Sequence, residues 1–490
     1  MRILTIIIAL FTLPLAVYAA FGYTDNGSEY VIDSGASLVI KVSKSNGDIT
    51  SIVYKGVEYQ GYQGKNTHVE SGLGASTVTI QQFSSPAYII KVAVTYGTLK
   101  HYLFVRYGNN NVYIFTNKGD SSVAASRYIV RLKPNVFPHS STDSGKSTLS
   151  PIQGATSNEK TQLDTPRAST TKEAITDVDY VGKTTGSVGV WLIRSNHEKA
   201  SGGPFFRSLV RGCTTIAEDL YDIYFYSMGH TDPERYGLQG PTLDGWTAWG
   251  NRGWVSGVGV ANMKSGYTYV IGLANTAAQY WGTAASSGGA WSIKNVLPGT
   301  YTLTLYKGEL AVGTRSVTVN TGAGTAINTM TPTDPSDTTA IWRIGDWDGT
   351  PAGFLNFDKS PMLPTYMHPS DVRISTWDPG NFIVGTSATN SFPGYMWKDV
   401  NNGHVVYFRL SAAQYASTHT IRIGITEAFI GGRPQISVNS WTSAAPSPST
   451  QGSTRSLTVG TYRGNNVVFS YDVPASAWLQ RMSSDTDQFE

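Results

Sequence analysis

The chain has 490 residues, of which 12% are aromatic and only 14% are charged. The formal net charge of +3 is too small to indicate nucleic-acid binding. Cys213 is the only cysteine, which excludes a disulfide within one chain, and the richness in Tyr, Trp, Thr and Val favours strands over helices.

The chain begins with a segment typical of a secretory signal peptide. Met1-Arg2 is a short basic start, Ile3 to Tyr18 is apolar, and Val17-Tyr18-Ala19 forms a cleavage-type sequence. We expect cleavage after residue 19, because the apolar stretch is short for a membrane-spanning helix. The sequence therefore predicts a secreted, extracellular protein, in which the sequon at Asn26 is a candidate glycosylation site.

Residues 20–246 form the first predicted unit. They contain short alternating runs such as "SLVIKVS", "YIIKVAVTYG" and "YDIYFYSMG", separated by Gly, Asn, Asp and Pro. This pattern predicts a large β-sandwich. An insertion at residues 138–179 has little apolar pattern, and a loop of that length in a compact domain is commonly functional or disordered.

Two smaller β-rich units follow. Residues 247–336 include "LPGTYTLTLYKGE", a turn that enters a strand, and indicate a small sandwich of fibronectin type III kind. Residues 337–490 contain runs such as "GHVVYFRLS" and predict a jelly-roll of carbohydrate-binding type, although the last ten residues are polar and unpatterned. The predicted fold class is all-β and multi-domain. The segment "GDWDGT" favours a structural turn over a calcium loop, and the binding of a structural calcium ion is kept as the alternative.

An aromatic strand ending near a histidine marks one candidate site. If the strand that starts at Asp222 persists, Tyr224, Tyr226 and His230 lie on one face. Rings that stack on sugar faces beside hydroxyl and imidazole groups are common in sugar sites. The alternative is a solvent-facing aromatic ladder with His230 in a loop.

Two arginines mark a second candidate site. Arg127 and Arg131 lie on one face of the strand predicted in "SRYIVRLK". Arginine binds carboxylates through paired hydrogen bonds, so this face is either a carboxylate-binding strip or a solvated surface. Lysines of the long insertion are candidate bases, because a partly desolvated lysine near arginines loses its proton more easily.

Several stretches, which follow one another in the same order as in that family, resemble the fungal rhamnogalacturonan lyases of polysaccharide lyase family 4. They include "AFGYTDNGSEYVID", "RYIVRLKPNVFP", "GHTDPERYGLQGP", "LPGTYTLTLYKGELAVG" and "IWRIGDWDGTPAGFLN". The resemblance implies a catalytic sandwich of galactose-mutarotase-like type, a fibronectin type III-like domain and a carbohydrate-binding-like jelly-roll. It also implies cleavage of rhamnogalacturonan I by β-elimination at galacturonate, which leaves a C4–C5 double bond.

The resemblance assigns roles to positions of this chain. Lys172, in "DTPRASTTKEAIT", matches the base of the family and Lys160 is the alternative, although Glu173 stands where the family has an aromatic residue. The other matched catalytic or substrate-binding positions are His230, Arg127, Arg131, Tyr224, Tyr226 and Glu234. The expected partner is a pectic polysaccharide bound by a monomer, with no nucleic acid, membrane, metal or cofactor required for catalysis.

Three other interpretations stay open from the sequence. The departure at Glu173 is compatible with a non-catalytic pectin-binding protein on the same scaffold. A glycoside hydrolase would use a pair of carboxylates that sequence spacing does not reveal. An inert adhesion protein built from sandwich modules would have no affinity for pectin.

Overall fold

The computed structural model describes residues 21–355, 382–394, 403–426, 432–448, 466–478 and 487–489, with gaps in the first range. The gaps are residues 62–63, 71, 86, 124–125, 135, 138, 141–149, 152–158, 162–179, 186, 194–197, 200–203, 205–210, 216–217, 226–236 and 240–246. Outside the described residues lie the predicted signal peptide at residues 1–19 and the candidate residues Lys172, Tyr226, His230 and Glu234.

The first unit is built from short strands whose side chains alternate between core and surface. In chain order they are β1 Gly22–Asp25, β2 Glu29–Asp33, β3 Leu38–Ser43, β4 Ile49–Tyr54, β5 Val57–Glu58, β6 His68–Val69, β7 Thr77–Phe83, β8 Ile89–Tyr96, β9 Leu99–Arg106, β10 Val112–Lys118, β11 Ser126–Leu132, β12 His139–Ser140, β13 Ser150–Pro151, β14 Glu159–Thr161, β15 Tyr180–Thr184, β16 Gly189–Ile193, β17 Arg211–Thr215, β18 Glu218–Phe225 and β19 Gly237–Gln239.

These strands pair into several sheets around one core. The orders are β1-β2-β3-β4-β5, β19-β10-β9-β8-β7, β13-β14-β17-β18-β11-β6 and β12-β15-β16. Alternate residues of β8, such as Ile90 and Val92, are buried, as a period of two requires for a sheet with one face in the core. They pack with Val42, Leu103 and Tyr128 from other strands into one hydrophobic cluster.

The second unit contains two facing sheets. Its strands are β20 Gly253–Gly257, β21 Tyr269–Ala274, β22 Gln279–Thr283, β23 Trp291–Val296, β24 Gly299–Lys307, β25 Leu310–Val319 and β26 Gly324–Ile327, paired in the orders β23-β20-β26 and β22-β21-β24-β25. In β24 the predicted alternation is present, since Tyr301, Leu303 and Leu305 are buried together. Lys307 at its end forms a buried ion pair of 2.5 Å with Asp334.

A second buried ion pair connects this unit to the first. Arg252 Nη1 lies 2.7 Å from Glu198 Oε2, and the two side chains are only 2% and 4% exposed. Arg252 also donates to the carbonyl oxygens of Thr247 at 3.0 Å and Asn295 at 2.9 Å. The carbonyl oxygen of Glu198 accepts from the Gln279 amide at 3.0 Å, so Glu198 itself is bonded to the second unit by backbone and side chain.

In its described parts the third unit is also built from strands, together with a short α-helix, α1, at Ala412–Tyr415. The strands are β27 Phe382–Ile383, β28 Val406–Phe408, β29 His419–Ile425, β30 Ser437–Val438, β31 Trp441–Thr442, β32 Val467–Val473 and β33 Asp487–Phe489. They pair in the orders β27-β28-β33-β30-β31 and β29-β32. The polar end of the chain, which has no strand pattern, thus supplies β33 between β28 and β30.

The predicted all-β, multi-domain fold class is confirmed by these sheets. Across the described ranges, no helix has the length and apolar character needed to cross a membrane.

Asp348 lies in "GDWDGT", the segment considered as a calcium loop. It accepts hydrogen bonds from the amide and hydroxyl of Thr350 at 2.9 and 3.0 Å, an arrangement typical of a turn. The sequon at Asn26 lies in the β1–β2 turn, where Asn26 accepts from the Glu29 amide at 2.7 Å.

Candidate functional site

Strand β11 carries both predicted arginines and lies inside the largest sheet of the first unit. On one side it pairs with β18, so that Arg127 is opposite Ile223 and Arg131 is opposite Asp219. On the other side it pairs with β6, where His68 is opposite Ile129. Residues directly opposite each other in a sheet share a face. The arginine face of β11 therefore continues onto β6 and the turn after it.

Arg127 is the more accessible of the two arginines. Its side chain is 31% exposed, and its Nε lies 3.5 Å from a carboxylate oxygen of Glu70. The Glu70 amide donates to the Arg127 carbonyl oxygen at 2.7 Å. Glu70 has a φ of +56°, a left-handed conformation that is uncommon for a residue with a side chain. Strain of this kind clusters at functional sites, and here it accompanies a carboxylate placed against the guanidinium.

Arg131 is buried beside a histidine. Only 8% of the residue is exposed, and its Nη2 lies 3.5 Å from His68 Nε2. Its amide donates to the Thr67 hydroxyl at 2.9 Å, which in turn donates to the Gln60 side chain at 2.6 Å. The predicted alternative of a solvated arginine face therefore does not hold at Arg131.

Burial and the neighbouring charge keep His68 neutral. Desolvation, followed by repulsion from Arg131, lowers the pKa of His68 to about 4. A neutral imidazole can accept a hydrogen bond from the guanidinium through Nε2, whereas an imidazolium would repel it. His68 thus stabilises a cation next to it without neutralising the cation's charge.

The resulting cluster suits the binding of an anion. It places two guanidinium groups on one strand, with one carboxylate and one neutral imidazole beside them. Guanidinium groups recognise carboxylates through short, charge-assisted hydrogen bonds. Glu70 contacts Arg127 at Nε, which directs that side chain. Sequence reasoning missed His68 and Glu70, because β6 has two residues and no detectable periodicity.

The remaining described candidates lie on the same sheet. Tyr224 belongs to β18, where the pairing shifts between Ser126 and Arg127, so that it is the extra residue of a β-bulge. The regular alternation predicted for this strand is interrupted there, and the described strand ends at Phe225. Lys160 lies on β14, where the register places Thr161 in line with Cys213 of β17, Asp219 of β18 and Arg131 of β11.

The distance from β14 to β11 bears on the alternative base. The sheet order puts two strands, β17 and β18, between them. Three strand spacings put β14 about 14 Å from β11.

Among the described residues, no group of three His, Cys, Asp or Glu side chains is arranged to hold a metal ion.

Comparison with protein families matches nearly the whole chain in three segments. Residues 21–250 match the N-terminal domain of rhamnogalacturonan lyase B. Residues 251–327 match domain II of polysaccharide lyase family 4, and residues 340–486 match domain III of the same family.

Individual relatives cover the same span. The chain is 35% identical to "Probable rhamnogalacturonate lyase A" of Aspergillus clavatus, over 96% of this chain and 92% of that protein. It is 35% identical to rhamnogalacturonate lyase A of Emericella nidulans, over 93% of this chain and 89% of that protein. It is 34% identical to rhamnogalacturonate lyase A of Aspergillus aculeatus, over 95% of this chain and 91% of that protein. Since both the domain order and the full-length similarity agree, this chain belongs to the rhamnogalacturonan lyases of polysaccharide lyase family 4.

Proposed function

We propose that the chain is a secreted enzyme that cleaves the rhamnose–galacturonate backbone of rhamnogalacturonan I by β-elimination. Membership of the lyase family supports pectin-degrading lyase activity. The observation that carries the finer proposal is the pair of arginines on β11, one of them partly exposed and held by Glu70. A galacturonate carboxylate is the group in this polymer that such a pair would bind.

The reaction needs positive charge at the substrate carboxylate. A base removes the C5 proton, its electron pair forms the C4–C5 double bond, and the bond from C4 to the leaving rhamnose oxygen breaks. Negative charge builds on the carboxylate as the proton leaves, and fixed cations stabilise it during the transition state. Arg127 is the better placed of the two arginines for direct contact, because Arg131 is almost fully buried.

We assign the base to Lys172, with Lys160 as the alternative. Arginines close to the base would lower the pKa of its amino group and leave part of it neutral at neutral pH. The separation of about 14 Å between the strands of Lys160 and Arg131 supports placing Lys172 first. In this proposal His230 acts near the leaving oxygen, while Tyr224, Tyr226 and Glu234 bind the sugars.

The test is ultraviolet absorbance of the unsaturated product, with rhamnogalacturonan I as substrate and homogalacturonan as control. Arg127→Gln should lower kcat/KM on rhamnogalacturonan about 100-fold or more. Arg106→Gln, a change of an exposed arginine at the end of β9, should leave it unaltered. Comparison of Lys172→Ala with Lys160→Ala then identifies the base.

A flat absorbance trace from correctly folded protein would overturn the assignment of β-elimination. Retention of rhamnogalacturonan by that protein would indicate the non-catalytic binding protein instead. Release of saturated reducing ends would indicate a hydrolase.

A further inference from the structure

The second unit carries an exposed face that the proposed lyase reaction does not use. The outer surface of the sheet β23-β20-β26 and the turn before β20 line a shallow groove with a volume of about 550 Å³. We call this surface the Trp254 face. Its principal residues are Trp249, Trp254, Ser256, Ser292, Lys294 and Asn295.

Trp254 is an aromatic platform supported from below by a glycine. Trp254 is opposite Gly324 in the parallel pair of β20 and β26. A Cβ built on Gly324 would lie 2.5 Å from Cε2 and 2.8 Å from Cζ2 of the indole, so the ring rests directly on the glycine backbone. The residue is nevertheless 44% exposed. A large ring that lies on a sheet and is open to solvent presents a flat apolar surface.

The surroundings of this ring are small or polar. Along the neighbouring row of the sheet, Ser256 is opposite both Ser292 and Ala326. These short side chains leave room beside the indole for a flat ligand. Trp249 adds a second exposed ring, 52% accessible, at the end of the groove.

A β-bulge brings two polar side chains to the same face. The pairing of β20 with β23 shifts between Gly253 and Val255, and the exposed pattern of β23 shows both Lys294 and Asn295 on the surface. Asn295 has a φ of +59°, which fits a residue in an irregular position. Bulges of this kind re-aim side chains and are enriched next to binding sites.

The bulge is held by a buried cation. Arg252 donates to the Asn295 carbonyl oxygen at 2.9 Å, and its guanidinium lies 5.1 Å from the centre of the Trp249 ring. Glu198 neutralises Arg252 through the 2.7 Å ion pair. Among the described residues that line the groove, Lys294 is the exposed charge and none is a carboxylate. The face is preorganised and positively charged.

We propose that the Trp254 face is an auxiliary binding site for the acidic polysaccharide, separate from the arginines of the first unit. Indole rings stack on the apolar faces of sugars, Asn295 and the serines can bond to hydroxyl groups, and Lys294 complements a uronate carboxylate. The identity of the polymer as rhamnogalacturonan rests on the proposed function. The site would keep a long chain attached while the first unit acts on it.

The test compares long and short substrates in full-length variants. Trp254→Ala and Lys294→Gln should each raise KM for polymeric rhamnogalacturonan about three- to tenfold, with kcat unchanged, because one stacking or charge contact is lost. Kinetics on oligosaccharides too short to reach both sites should stay at the wild-type value. Trp254→Phe should recover most of the polymer affinity, and Arg315→Gln, on the opposite sheet of the same unit, should change nothing.

Gly324→Val provides a second way to disturb the face without deleting the indole. The added side chain would displace the ring from its support, so polymer affinity should fall although Trp254 is present. Wild-type KM for the polymer in both Trp254→Ala and Gly324→Val would overturn the proposal. So would equal losses on short and long substrates, which would indicate a general structural defect.

A binding measurement separates this proposal from the lyase assignment. Affinity electrophoresis in gels containing rhamnogalacturonan reports polymer binding directly. The wild-type protein is measured first, and Trp254→Ala is then compared with its parent in an Arg127→Gln background, in which cleavage is slow. If wild-type protein is retarded but produces no unsaturated product, the lyase assignment fails while the Trp254 face is still tested by its variants. If product forms and Trp254→Ala is retarded as strongly as its parent, the auxiliary site fails alone.

Discussion

The ion pair between Glu198 and Arg252 should be a principal stabiliser of the junction between the first two units. Its side chains are 4% and 2% exposed and their charged atoms are 2.7 Å apart. Glu198→Ala would leave the guanidinium buried without its carboxylate. Removing one member of a buried pair costs about 3–5 kcal/mol of unfolding free energy, mainly because the remaining charge is uncompensated.

The expected loss lies at the lower end of that range, about 3 kcal/mol. Arg252 would keep the carbonyl oxygens of Thr247 and Asn295 as acceptors, at 3.0 and 2.9 Å, and these partly solvate its charge. Glu198→Gln retains an acceptor oxygen and the shape of the side chain, so its effect should be smaller. Arg252→Met combined with Glu198→Ala removes both charges, and the double variant should be more stable than the sum of the two single losses predicts.

Denaturant unfolding followed by tryptophan fluorescence would measure these losses, with each resolved transition fitted separately because the protein has several units. Asp25→Ala is the matched control. It removes the partner of Lys44 in an exposed pair, also 2.7 Å apart, and should cause no measurable change. A loss of less than about 1 kcal/mol in Glu198→Ala, or strict additivity in the double variant, would refute the reasoning.

Three further predictions concern pH and positioning. Burial, the largest single influence, would raise the pKa of Asp334, but the hydrogen bonds from Lys307 and Ser336 and the charge of Lys307 together outweigh it, and the pKa falls to about 2. The stability that this group contributes is present above pH of about 4 and is lost as the pH falls through about 2. Asp334→Asn should therefore abolish that slope in thermal unfolding. Burial lowers the pKa of His101 to about 3, so protonation favours the unfolded chain and stability should decline as the pH falls from about 6.5 towards 3. His101→Phe should flatten that decline, and an unchanged slope would contradict the assignment. Glu70→Gln should raise KM for rhamnogalacturonan several-fold at an unchanged melting temperature, because Glu70 directs Arg127 rather than supporting the core; steady-state kinetics that match wild type would show that it has no such role.

Strand β11 shows which features of the candidate site could be predicted from the sequence. Arg127 and Arg131 are separated by two periods of the two-residue alternation of a strand, so alternation alone places them on one face of β11. Their different environments were not predictable. Arg131 is buried beside His68, and Arg127 is partly exposed beside Glu70. His68 belongs to a two-residue strand and Glu70 to the turn after it, and neither has a sequence pattern.

At the Trp254 face, too, the strand could be predicted from the sequence and the contacts between strands could not. The run "GWVSGVGV" predicts a strand, but its alternation does not tell which face Trp254 points to. The support from Gly324 and the bulge at Lys294 and Asn295 depend on strands that are distant in the chain. Pairing register and bulges are set by the fit between neighbouring strands, and one strand alone does not contain that fit.

The strand-rich class, the order of the three β units and the family could all be predicted from the amino-acid sequence. Alternation indicates which side chains meet the core, and the stretches that resemble the family occur in the same order. The packing of the strands sets which partner each buried cation meets. His68 reaches Arg131 across 63 positions and Glu198 reaches Arg252 across 54. Such contacts form only after sheets and units have packed, when burial makes a lone charge costly and selects the partner that compensates it.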